Sequence, residues 1–178
     1  MQDKIKNFLK MYGAYEMPVD VKRLAEKIGF RVIKMDAGTK NDVTIQENLN
    51  YNFSPKSTIF VYADDSRWET KMQYASGIAK YILFQEELKL QNIKGKSMVT
   101  IPLEMDKAEL SKVIMEVLLP TELVKKEVVN SELPRNPSKV QIQNLAESFG
   151  VTSKLMSEKF QQFTHKNPST KLDAYMEL

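Results

Sequence analysis

The chain has 178 residues, with 26 basic and 23 acidic side chains, one histidine and no cysteine. That length suits one domain with a small appendage, and 42% hydrophobic with 28% charged residues reads as ordinary globular. Without cysteine there is no disulfide, iron–sulfur cluster or thiolate zinc site, and His165 alone cannot make a multi-histidine metal centre. The formal charge of +3 is spread without the Lys/Arg clustering of a dedicated nucleic-acid binder. No apolar run is long enough to cross a membrane, and the first residues lack the apolar core of a signal peptide, so a cytoplasmic protein is expected.

In chain order, Ile5, Phe8, Leu9 and Tyr12 share one helical face over residues 3–12, which Gly13 ends. Pro18 is read as opening a second helix carrying Val21, Leu24, Ala25 and Ile28, stopped by Gly29. Residues 30–35 alternate apolar and basic side chains, a half-buried strand; residues 43–53 are a weaker strand candidate and 58–62 a clear one. Short turns between the three favour an antiparallel meander. Ser66 and Glu69 fit a capping box opening a long helix whose core face runs from Trp68 to about Leu88. Residues 89–104 read as loop, 106–119 as a helix stopped by Pro120, and 121–129 as a short helix. After Leu133-Pro134-Arg-Asn-Pro137 come two short helices. Ser138 and Gln141 form the first one's capping box, with Val140, Leu145 and Ala146 on its apolar side. Thr152 or Ser153 caps the second, which carries Leu155, Met156, Phe160 and Phe163.

Four segments carry a family resemblance. Pro18 to Val32, with its Leu-Ala-Glu-Lys-Ile-Gly stretch, is one; Thr58-Ile-Phe-Val-Tyr62 is the second. Tyr74-Ala75 with Tyr81-Ile-Leu83 is the third, and Glu109 through Val117-Leu-Leu-Pro120 the fourth. Together they resemble the ImmA/IrrE family of metallopeptidases. The resemblance implies an α+β fold, mostly helical, with a small three-stranded antiparallel sheet on a zincin-like peptidase scaffold and a helical C-terminal hairpin. It divides the chain into a pseudopeptidase domain at 1–133, a helix-turn-helix-like hairpin at 134–164 packed on it, and a flexible tail at 165–178.

The departure from the family decides the chemistry. Its long helix carries H-E-x-x-H, two histidines one turn apart for zinc and a glutamate as general base. At those positions stand Ser76, Gly77 and Lys80. Protonated lysine does not ligate zinc and glycine moves no proton, so the proteolytic activity does not carry over, and no metal or other cofactor is expected. For Gly77 the readings that stand open are a tolerated cost of glycine in a helix, close packing of another backbone that needs no side chain there, or an open cleft that receives a partner's residue. For Glu109, at the family's third-ligand position, three stand open: a capping partner of Asp106, an ion pair with Lys80 in place of the metal, or a ligand for another ion. In the hairpin, Lys154, Ser157 and Lys159 are candidate contacts to DNA or a protein, against a simple packing role for that element. The expected function is that of an inactive ImmA/IrrE-like protein. It would bind a regulatory protein, such as a helix-turn-helix repressor of a phage or mobile element, without cutting it. The alternative is a DNA-binding transcriptional regulator using the hairpin.

Overall fold

A computed structural model describes residues 1–35, 46–48, 56–62, 66–93, 98–100 and 106–165. Helix α1 (Gln2–Met11) buries Ile5, Phe8 and Leu9, the three- and four-residue spacing of one face. Gly13 then takes a positive φ of 59°, and the Lys27 ammonium donates to the Tyr12 carbonyl at 2.7 Å, closing the helix end with a cation. Helix α2 (Val21–Ile28) starts later than Pro18, which follows a cis peptide bond and stays outside the helix. The start belongs to Asp20, whose carboxylate accepts the Arg23 N–H at 3.0 Å. Gly29 ends α2 in the left-handed conformation, φ 94°.

The sheet differs from the expected meander. Its strands are β1 (Arg31–Met35), β2 (Gln46–Asn48), β3 (Lys56–Tyr62) and β4 (Met98–Thr100), in the order β1-β3-β2-β4. β1 runs parallel to β3, with Arg31 opposite Thr58 and Met35 opposite Tyr62. β2 is antiparallel to both β3 and β4. The three-stranded antiparallel sheet, and the zincin-like scaffold expected with it, therefore give way to a mainly helical chain carrying a four-stranded mixed sheet. Alternation along a strand reports its two faces but not its neighbours.

Helix α3 (Arg67–Ile93) begins at the expected capping box: the Glu69 carboxylate accepts the Ser66 N–H at 2.8 Å, and the Ser66 hydroxyl accepts the Glu69 N–H at 3.2 Å. It runs past Leu88 to Ile93, so residues 89–93 are helical rather than loop, and residues 98–100 are strand. Leu88, Lys89, Leu90 and Gln91 are good helix formers, and the next breaker, Gly95, lies beyond them. Helix α4 (Lys107–Leu118) is capped by Asp106, which accepts the Ala108 N–H at 2.8 Å, and α5 (Thr121–Asn130) follows directly after Pro120. In α6 (Lys139–Ser148) the Ser138–Gln141 capping box forms as expected, but Val140 is 65% exposed and not on the buried side. Gly150, φ 59°, makes the turn into α7 (Ser153–His165), and the Thr152 hydroxyl accepts the Leu155 N–H at 3.3 Å.

One buried cluster joins these elements. Leu9 of α1, Leu24 of α2, Ile59 of β3, Ile78 and Ile82 of α3, and Val117 and Leu118 of α4 belong to it. Leu145, Phe149 and Met156 of the α6–α7 hairpin belong to it as well. Phe8 meets Tyr81 obliquely at 6.2 Å, and Phe30 meets Tyr81 edge-on at 5.5 Å, tying α1 and the residue before β1 to α3. Asp64, Asp65 and the tail from residue 166 lie outside the described residues.

Burial raises the Tyr12, Tyr15 and Tyr74 hydroxyls above the ordinary 10.0, with smaller contributions from Tyr81, from Glu122 and Glu116, and from Glu26 respectively. The unfolded chain ionises these tyrosines first, so the stability they hold is full below pH 10 and is lost as pH climbs through their folded values. Lys71 has the opposite sign. Burial, then the Arg67 charge, lowers it below 10.5 against a small opposing effect of Asp20, so stability rises in the window just below 10.5. Above 10.5 the lysine adds nothing further, and the tyrosines alone set the direction. The urea midpoint is expected to fall there, and less steeply in Tyr74→Phe, which has no proton to lose.

Candidate functional site

Helix α3 positions three of the four residues at the resemblance's site. Ser76 and Lys80 stand one turn apart and therefore share a face, a half-buried stripe that also carries Gln73 and runs back to the exposed Glu69. Tyr74, Ala75, Ile78, Ala79 and Ile82 fill the opposite, buried side.

Gly77 faces β3. A Cβ built on it would lie 2.8 Å from both Cδ1 and Cγ1 of Ile59, a side chain with no exposed surface. Close packing is observed, but against the Ile59 side chain rather than against another backbone, and Ile59 occupies the space that a partner's residue would need. The glycine lets α3 settle directly onto the sheet, which offsets the roughly 1 kcal/mol that a mid-helix glycine costs. The position of the family's general base is thus filled by the strand next to it.

Glu109 is exposed on the first turn of α4 and does not pair with Lys80 among the described residues. Asp106 caps that turn through Ala108 N–H, without Glu109. The buried carboxylate of α4 is Glu116, two turns further along and 7% exposed. It anchors a network that composition and motif reading missed. Glu116 Oε1 accepts the Thr121 N–H at 2.8 Å, supplying the cap that Pro120 cannot give α5. Its Oε2 accepts the Thr121 hydroxyl at 2.7 Å and the Lys159 ammonium at 2.6 Å. Thr121 Oγ1 in turn accepts from Lys159 at 2.9 Å and from Gln2 Nε2 at 3.0 Å.

Lys159 is therefore withdrawn from any surface: it is 2% exposed, paired with Glu116, and its Nζ lies 5.8 Å from the centre of the Phe163 ring. Its expected contact with DNA or a partner is corrected on that ground, because a buried, paired ammonium cannot meet a phosphate. Lys154 is exposed and Ser157 half-buried, so Lys154 alone of the two lysines remains on the outer face. The signal for the buried pair was present in the sequence. Glu116 interrupts the apolar run 113–119, and Lys159 falls at the apolar spacing of Met156, Phe160 and Phe163.

Among the described residues, no three His, Cys, Asp or Glu side chains come together as a metal site, and no helix is long and apolar enough to cross a membrane. No protein-family model matches the chain, and no curated protein matches it.

Proposed function

We propose that this chain is a non-catalytic, cytoplasmic binding protein. In this reading it is a degenerate relative of the ImmA/IrrE peptidases that holds a regulatory protein, such as a phage or mobile-element repressor, without cutting it. The observation that supports this most is Gly77 against Ile59, 2.8 Å from where a Cβ would stand. Peptide hydrolysis of the family's kind needs a carboxylate there, and the strand leaves no room for one. Ser76 and Lys80, in the places of the two histidines, add no ligand for zinc. A chain without the family's catalytic group is consistent with a role in binding.

The test is affinity purification of the intact chain from its native host, with the mass of each co-purifying protein and the metal content measured together. The expected result is a full-length transcriptional regulator and no zinc. Stoichiometric zinc, or a regulator shortened by incubation with the protein, overturns the proposal.

A further inference from the structure

Three side chains, Lys71, Lys159 and Gln162, tie the α6–α7 hairpin to elements far away in the sequence. Lys71 of α3 donates to the Phe149 and Gly150 carbonyls at 3.1 and 2.8 Å, holding the turn between the two helices. Lys159 of α7 reaches Glu116 and Thr121 at 2.6 and 2.9 Å, and Gln162 donates to the Met115 sulfur at 3.1 Å. Residues 131–137, most of them exposed and with prolines at 134 and 137, lead into the hairpin. Its inner face, Leu145, Ala146, Phe149, Met156 and Phe160, is buried. Apolar faces of this kind pack in several neighbouring seats at similar energy. A buried ion pair does not, because both charges have left water and regain that loss in one geometry only.

We infer that the α6–α7 hairpin opens as a unit about residues 131–137 and that the Glu116–Lys159 pair is the latch that holds it in one seat. Opening bares the apolar inner face while α1–α5 and the sheet stay folded, a sub-global event of lower cost than complete unfolding. Lys71 is a second clasp, on the α6–α7 turn rather than on α7 itself. The inference does not depend on the proposed binding role.

Amide hydrogen exchange on the full chain tests it. Lys159→Met leaves Glu116 buried and unpaired, so amides of residues 139–163 are expected to exchange roughly a hundredfold faster, while those of 74–84 and 113–124 keep their rates. Combining Glu116→Gln with Lys159→Met removes the stranded charge and is expected to recover most of the protection. Equal acceleration along the whole chain, unchanged exchange in the hairpin, or no recovery in the double variant each overturns the latch. If Lys159→Met fails to fold, Lys71→Met is read in the same way. Faster exchange confined to 139–163 supports a separately opening hairpin, and uniform acceleration overturns it.

Discussion

Gly77→Glu is expected to destabilise the protein severely and to produce no peptidase. The first atom of any side chain at 77 meets Cδ1 and Cγ1 of Ile59 at 2.8 Å. Rotation about χ2 moves Cδ1 aside, but Cγ1 moves only with χ1, which a β-branched residue holds in few positions. Gly77→Ala sets the scale. Overpacking of about 1–3 kcal/mol is set against the gain of up to about 1 kcal/mol in helix propensity, leaving a modest net loss. Glutamate adds a carboxylate forced against the sheet, for a total of about 3 kcal/mol or more by chemical denaturation. Shortening the neighbour separates packing from chemistry. Ile59→Ala should cost about 2–5 kcal/mol in the native background and clearly less in Gly77→Ala, where the new methyl occupies part of the vacated space. Equal cost in both backgrounds would show that the two side chains do not meet. If Gly77→Glu were as stable as the parent, the packing account of this glycine would be wrong.

Glu116→Ala is expected to cost about 3–5 kcal/mol, because it strands the Lys159 ammonium where almost no water reaches it. It also uncaps α5 by removing the acceptor of the Thr121 N–H. Glu116→Gln should cost less. The amide oxygen can still accept that N–H, so the two variants differ by the uncompensated cap, about 1 kcal/mol. The ranking Ala worse than Gln, read from urea midpoints at constant slope, checks the network. Equal losses would mean that the charge alone matters and the cap does not.

Much of the framework was legible from local pattern. The capping boxes at Ser66 and Ser138, the stop at Gly29, and the core positions of α1, α2 and α4 depend on residues a few places apart, and the chain shows those directly. The pairing of strands was not legible. β1 and β3 are separated by β2 in the sequence and lie side by side in the sheet, so their parallel alignment is set by what covers them rather than by their own alternation. The residues that the resemblance singles out divide in the same way. That Ser76, Gly77 and Lys80 lack the chemistry of two histidines and a glutamate follows from side-chain identity alone. That Gly77 is sealed by Ile59, that Glu109 is exposed and that Lys159 meets Glu116 needed the neighbours of each.

One histidine and no cysteine by themselves excluded multi-histidine and thiolate zinc centres, because a ligand that is not encoded cannot be folded into place. Tertiary structure alone decided which of the remaining charges are available. Glu116 and Lys159 are ordinary surface residue types, 43 positions apart, and become the buried junction of the molecule because α4 and α7 carry them into the same dry contact. Identity along the chain sets which chemistry is possible; the dielectric and the partners that determine whether a charge acts or is locked away come from packing.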